Sequence, residues 1–322
     1  MKILLLRFSA IGDIVLTTPV IRCLKRQTGA ELHFLTKKSF GQLLIPNPFL
    51  DKVYVFEKNV AEVLPLLKQE RYDWVIDLHH NLRSGWVKWV LGRPSRAFHK
   101  LNFEKWLLVN FKINRLPPVH IVDRYMDTVA HLGVRYDGKG LDYFIPQDQE
   151  LPAQVADARL RTGQFTAFAI GATHATKRLP PKKIVAICAD IEQPVVLLGG
   201  KAEAQYSPDI ARLAGDHVVD LCGRLSLHQS ASLVRQATRV LTHDTGLMHI
   251  AAAFRKEIVS FWGNTVPAFG MYPFYPEGVS GNTTLEVKDL SCRPCSKIGF
   301  DRCPKGHFKC MNELEMPKSK RF

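Results

Sequence analysis

The second half of the chain alternates short apolar runs with amphipathic ones, and this alternation restricts the fold more than any other feature. Phe165–Ile170, Pro194–Leu198, Val218–Leu221, Val240–Thr242 and Glu257–Phe261 read as strands. Lys182–Ile191, Ala204–Ala214, Leu227–Gln236 and Gly246–Phe254, lying between them, read as helices. Near-continuous apolar strands separated by helices predict a parallel sheet covered on both faces. The first half repeats the theme less regularly. Ile3–Arg7, Glu31–Leu35, Lys52–Phe56 and Asp73–Leu78 read as strands; Asp13–Gln27 (closed by Gly29), Ala61–Gln69 and Asp123–His131 read as helices. Pro19 falls inside the first of these helices and is expected to kink it or shift its start.

The expected architecture is therefore α/β, with two Rossmann-like doubly wound domains facing across a cleft. The length of 322 residues suits two domains. We place them at 1–150 and 151–322, with a connector of Gly, Pro and polar residues from about Gly138 to Pro152. Ligands of such sheets bind outside the carboxyl ends of the strands, so chemistry is sought in the loops that follow strands.

Charge narrows the partners. Lys and Arg number 44 against 30 Asp and Glu, a net charge of +14. Anionic partners follow: nucleotide phosphates, nucleic acid or an acidic membrane surface. No apolar run approaches the roughly 20 residues of a membrane span. The apolar core of Met1–Phe8 is too short for a secretory signal and reads as a buried first strand. The seven Cys are then expected to be reduced in the cytoplasm. Cys23, Cys188 and Cys222 stand alone in apolar stretches and read as core. The tail Pro317–Phe322 is basic and reads as frayed.

Five constellations sit where function is expected. The loop Ser9–Asp13 follows the first strand; Gly12 allows close approach of a ligand, and Asp13 is either a helix cap or a general base. His243–His249 spans a strand-to-helix junction. There Asp244 can grip sugar hydroxyls, Thr245 beside it is a substrate-binding candidate, and Gly246, Leu247, Met248 and His249 open a helix whose free amides suit a diphosphate; the alternative is an ordinary helix start capped by Asp244 or Thr245. Gly171–Pro180 offers Thr173, Thr176, Lys177 and Arg178 as a phosphate clamp or a solvated basic loop. Cys292, Cys295, Cys303 and Cys310, with His307 between the last two, are either a structural metal site or reduced thiols. Asp77–Ser84, with His79, His80, Asn81 and Arg83, is either an anion site or structural. Neither a P-loop nor a dinucleotide-binding glycine pattern is present, which argues against an ATPase and a nicotinamide dehydrogenase.

Taken together, Arg7–Pro19, Ala175–Pro180 and Asp244–Ala253 resemble the ADP-heptose:lipopolysaccharide heptosyltransferases, glycosyltransferase family 9. The Cys292–Cys310 run looks like tails seen in that group. The motifs fall in the family's order across nearly the whole chain. The resemblance implies a GT-B fold and an inverting, metal-independent transfer of heptose from ADP-heptose to a lipopolysaccharide inner-core acceptor. It implies an acceptor-binding first domain, a nucleotide-sugar-binding second domain, no cofactor and no metal. Asp13 matches the proposed base and Lys177 the cation at the leaving diphosphate. Asp244 matches the acid near the sugar, and Gly246–His249 the phosphate-holding helix start. Thr173 and Thr176 are expected neighbours of the donor. Leu179 stands where a Trp is common in the family. A lipid-linked oligosaccharide acceptor implies peripheral attachment to the inner face of the cytoplasmic membrane, helped by basic residues. Two alternatives remain. One keeps the fold but uses another nucleotide-sugar for a different surface glycan. The other is a basic nucleic-acid-binding protein with a zinc-stabilised Cys tail; against it, the charge is spread and no recognition motif appears, so no nucleic-acid partner is expected.

Overall fold

A computed structural model describes residues 1–161 and 163–317; the basic tail expected to fray lies, from Lys318 on, outside the described residues. The first strand, β1 (Lys2–Leu6), carries the run Ile-Leu-Leu-Leu, every side chain of it fully buried. Each such side chain contributes roughly 1.5–3 kcal/mol by leaving water. Strands β2 (Glu31–Lys37), β3 (Lys52–Phe56), β4 (Trp74–Asp77) and β5 (Ser95–Ala97) complete a five-stranded sheet in the order β3-β2-β1-β4-β5. All pairs are parallel, with Leu5 opposite Phe34 on one side and Ile76 on the other. The direction of winding reverses between β1 and β4. The loops after these two strands therefore flank a topological switch point, the place where open parallel sheets bind ligands.

The second sheet holds β6 (Thr166–Ala169), β7 (Val195–Leu198), β8 (Val218–Asp220), β9 (Arg239–His243), β10 (Glu257–Trp262) and β11 (Asn282–Glu286). Its order is β11-β10-β9-β6-β7-β8, all parallel, and its switch point lies between β6 and β9. The helices are α1 (Ile11–Val15), α2 (Thr18–Thr28), α3 (Leu64–Gln69), α4 (Leu82–Leu91), α5 (Asn102–Phe111) and α6 (Ile121–Met126), then α7 (Ala153–Ala156), α8 (Pro181–Ala189), α9 (Ser207–Ala214), α10 (Leu227–Gln236), α11 (Gly246–Ala253) and α12 (Lys309–Asn312). No helix among the described residues is long and apolar enough to cross a membrane. Cys23, Cys188 and Cys222 are buried free thiols, as core packing requires.

Three differences from the sequence reading have physical causes. The helix expected over Asp13–Gln27 is two helices. Pro19 has no N–H for the Val15 carbonyl; the Thr18 hydroxyl donates to it instead, at 2.7 Å, and α2 begins there with Pro19 in its first turn. Strand β11 went unseen because it is an edge strand, Asn-Thr-Thr-Leu-Glu, in which only Leu285 is buried. The weakly periodic region after His79 contains α4, β5 and α5; the outward faces of the two helices are apolar and blur the pattern.

By contacts the chain forms two compact units. The first comprises Met1–Leu101 and Val119–Phe144. The second comprises Asn102–Pro118 and the chain from Ile145 on. The segment Asn102–Pro118, within the stretch read as the first domain, thus groups with the second unit. Lys112 shows how: its ammonium donates to the carbonyl of Pro294 at 2.7 Å. The return segment 137–144 is tied into the first unit by buried Arg22 of α2, whose guanidinium pairs with Asp137 at 2.7 Å and with Asp142.

Candidate active site

At the first switch point a guanidinium organises both loops. Arg7 ends β1 and is buried. Its Nε donates to the Ser9 carbonyl at 2.8 Å. One terminal nitrogen donates to the Leu78 carbonyl beyond β4 at 2.6 Å and to the Tyr125 hydroxyl at 2.9 Å. The other pairs with Asp13 Oδ1 at 2.6 Å. Burial is the largest influence on the Arg7 pKa and works to lower it, but the Asp13 charge and hydrogen bond, Tyr125 and the Asp77 charge together outweigh it; the net shift is upward, so the cation is permanent. Asp13 lies in the first turn of α1, and its Oδ2 accepts the Ala10 amide at 3.1 Å. Ala10 holds the N-cap position, and Asp13 closes the helix start from the third position by accepting that N-cap amide. Its carboxylate is held at a fixed angle and remains partly exposed, its side chain 23% against 9% for Arg7. Gly12 precedes it with ordinary helical geometry, so what it offers is bare backbone rather than an unusual turn.

The loop after β4 is built by Asp77. This buried carboxylate accepts the His80 amide at 2.6 Å and the Ser84 hydroxyl at 2.8 Å, and pairs with Lys88 at 2.9 Å. Asn81 caps α4 through the Ser84 amide. These residues have structural duties. His79 packs its ring 4.7 Å from Phe8, and burial, then the Arg7 charge, push it down to about 4. It is neutral at physiological pH.

At the second switch point the cation is Lys177, in the loop after β6. Its ammonium reaches Asp244 Oδ2, beyond β9, at 2.5 Å. Thr265, beyond β10, donates its hydroxyl to the same oxygen at 2.9 Å. Three loops at one sheet edge are thus pinned around a lysine. Asp244 fixes Lys177 here. Helix α11 begins two residues later. Its N-cap Thr245 makes no side-chain cap, so the amides of Gly246 and Leu247 face outward at the positive end of the helix dipole. Met248 and His249 are buried, so their part in this helix start is confined to the backbone. His243, ending β9, accepts the Leu179 amide on Nε2 at 2.9 Å, and burial pushes it down to about 3. Leu179 itself is core.

Thr173 is exposed, while Thr176 is buried with its hydroxyl engaged by Phe300: it donates to the carbonyl at 3.1 Å and accepts the amide at 2.8 Å. The structure does not bring the Thr176 hydroxyl out beside Lys177. Gly171 opens this loop because a Cβ there would lie 3.0 Å from the buried Glu203 carboxylate, which pairs with Arg178 at 3.4 Å. Gly299, at φ +135°, lets the Cys-rich segment run against His174; a Cβ would come within 2.4 Å of it. Arg293 fastens that segment to the loop after β10 through the carbonyls of Gly263 at 2.5 Å and Thr265 at 2.9 Å. The four cysteines of the segment are free thiols. Cys292 Sγ lies 3.8 Å from His307 Nε2. Among the described residues the one group of three side chains at metal-ligand spacing is Glu31, His33 and Glu70, and there Lys2 and Lys52 each sit 2.7 Å from Glu70.

Sequence reasoning missed Arg7, Tyr125, Thr265 and Glu203 as site-building residues. Arg7 had a signal, a charge closing an all-apolar strand at the carboxyl edge. Tyr125 and Thr265 had none, because they join the site only through tertiary folding.

Comparison with known proteins fits this arrangement. The family model of glycosyltransferase family 9 (heptosyltransferase) matches residues 61–299. The chain belongs to glycosyltransferase family 9. Among curated relatives of this glycosyltransferase, lipopolysaccharide heptosyltransferase 1 of Pseudomonas aeruginosa is 26% identical, over 92% of this chain and 86% of its own length. A family 9 glycosyltransferase from Veillonella parvula superposes with a TM-score of 0.72 at 21% identity, covering 90% of this chain and 88% of that one. The Escherichia coli heptosyltransferase WaaC, solved with ADP, gives 0.64 at 20% identity, covering 88% and 92%. The fold of the glycosyltransferase is GT-B, with two Rossmann-like domains.

Proposed function

We propose that this glycosyltransferase moves heptose from ADP-heptose to a lipid-linked inner-core sugar of lipopolysaccharide, with inversion and without a divalent cation, at the inner face of the cytoplasmic membrane. The observation that carries the reading is Lys177, fixed by Asp244 and Thr265 at the second switch point beside the open end of α11. Fixed positive charge in a low-dielectric loop stabilises a departing diphosphate far better than mobile water does. That is the task a divalent cation performs in other transferases. The names of the relatives supply the donor and acceptor: heptosyltransferases of lipopolysaccharide, one of them solved with ADP.

In the transfer step an acceptor hydroxyl oxygen forms a bond to the anomeric carbon of the heptose. The bond from that carbon to the ADP oxygen breaks on the opposite face, and ADP takes the electron pair. The hydroxyl proton passes to Asp13. Arg7 keeps the Asp13 carboxylate oriented throughout. Thr173, exposed in the loop that carries Lys177, supplies a donor contact, as do the backbone amides of Gly246–His249.

Thermal stabilisation of the purified protein by ADP, UDP, GDP and CMP, each without added metal, tests the donor class. Selective stabilisation by ADP supports the reading. Preference for another nucleotide moves the same fold to a different surface glycan, and no shift with any of them removes the donor site.

A further inference from the structure

Residues 82–115 gather eight Lys and Arg against a single Glu, and three of the five Trp of the chain. Two helices in this stretch are apolar on their outward faces. On α4, Leu82, Trp86 and Trp89 are 94%, 39% and 80% exposed and, at spacings i, i+4 and i+7, form one stripe. The opposite face is already used, since Ser84 and Val87 are buried. On α5, Phe103 and Trp106 stack with ring centroids 6.0 Å apart, and Phe111 meets Trp106 edge-on at 5.2 Å. All three rings are exposed, while Leu108 packs inward. Single exposed apolar side chains are ordinary, but ordered aromatic stripes mark a surface that docks on something.

The charges around the stripes identify the occupant. Arg83, Arg93 and Arg96 are exposed on and after α4, and Arg115 follows α5 in an exposed position. Aromatic rings with a polar edge favour the headgroup layer of a bilayer, and arginine and lysine beside them favour anionic lipid phosphates. Each helix is short and has its other face committed to the protein, so it can lie in an interface but not cross it.

We propose that α4 and α5 are docking elements for an anionic phospholipid bilayer, each on its own unit, with the aromatic stripes seated among the headgroups and the basic residues on the phosphates. The proposal rests on the reading of a lipid-linked acceptor and specifies where the lipid surface is met. It requires no particular arrangement of the two units.

The test is flotation of the full-length protein with two kinds of vesicle, phosphatidylcholine alone and phosphatidylcholine mixed with phosphatidylglycerol. The mixed vesicles should bind roughly tenfold more protein, and raised salt should reduce the difference. The double variant Trp89→Ser/Trp106→Ser should lose roughly tenfold on the mixed vesicles. Arg83→Glu/Arg93→Glu should lose the preference for phosphatidylglycerol while keeping the wild-type unfolding temperature. Equal binding to both vesicles, wild-type binding by the Trp variant, or no binding at all would overturn the proposal. So would a dimer that the Trp variant dissociates with vesicle binding unchanged, which would make the stripes a contact between copies of the chain. Turnover is not read, so a failure here is distinct from a failure of the ADP-heptose reading.

Discussion

The two switch points are built from the same parts, buried to different degrees. Each holds one cation and one aspartate joined by a short ion pair. In the first unit the cation is the more buried partner: the Arg7 side chain is 9% exposed and that of Asp13 23%. In the second the two partners are almost equally buried, with Lys177 at 16% and Asp244 at 13%. In the first pair a buried arginine positions the better-exposed acid; in the second an aspartate, itself held by the Thr265 hydroxyl, positions the lysine. An acid presented by a buried arginine suits proton removal. A lysine presented by an aspartate suits an anionic leaving group. One doubly wound plan thus presents an acid at one switch point and a lysine at the other.

The largest effect expected from breaking this contrast is at the base. Asp13→Asn keeps the shape but accepts no proton, and transfer should fall by about 10²–10⁴. Single-turnover kinetics measures this, and near-wild-type turnover would remove Asp13 from the role. Arg7→Met comes next. It leaves Asp13, the Leu78 carbonyl and the Tyr125 hydroxyl without their buried partner, and breaking such a pair costs about 3–5 kcal/mol of stability, readable by urea unfolding. Thr265→Val deletes one hydrogen bond to the Asp244 carboxylate and should cost about 1.5–3 kcal/mol of clamp orientation, seen as a loss of about tenfold or more in kcat/KM with little change in unfolding temperature.

The smallest effect sharpens the comparison through pH. Each switch point carries a neutral histidine, half-buried in the case of His79 and buried in the case of His243: His79 is pushed down to about 4 and His243 to about 3. An unfolded histidine, with an ordinary pKa near 6.5, takes up a proton that the folded one refuses. Stability is therefore full above about pH 6.5 and is lost as pH falls toward those folded values, at no more than about 1.4 kcal/mol per pH unit for each histidine. His243→Gln should flatten part of that slope between pH 6 and 4, an interval within the range those pKa values bound. An unchanged slope would mean that His243 is not neutral in the fold.

Much of this was legible in the sequence because the strands are simple and the chemistry sits at their ends. An apolar run such as Ile3–Leu6 declares a buried parallel strand, and the loop after it must then lie at the carboxyl edge. That is why Ser9–Asp13, Gly171–Pro180 and His243–His249 stand out from the residue order alone. Partnership was not legible. Nothing in the string says that Arg7 reaches Tyr125, that Thr265 shares an oxygen with Lys177, or that the Thr176 hydroxyl is taken by Phe300. The hydrogen bonds concerned, Arg7 to Tyr125, Thr265 to Asp244 and Thr176 to Phe300, span 118, 21 and 124 positions and are decided by packing. Edge strand β11 and the outward-apolar helices α4 and α5 escaped for a related reason. Their patterns answer to solvent or to an external surface as well as to the core, so the periodicities that mark buried elements fade.

The division of labour between the two pairs is tested most directly by ADP titration calorimetry of Asp13→Asn and Lys177→Ala, side by side with the wild-type protein. Asp13→Asn should bind ADP as the wild type does, within about twofold, while Lys177→Ala should lose about tenfold or more, the size expected for one charge-assisted contact to phosphate. Wild-type affinity in Lys177→Ala, or a loss confined to Asp13→Asn, would contradict that division.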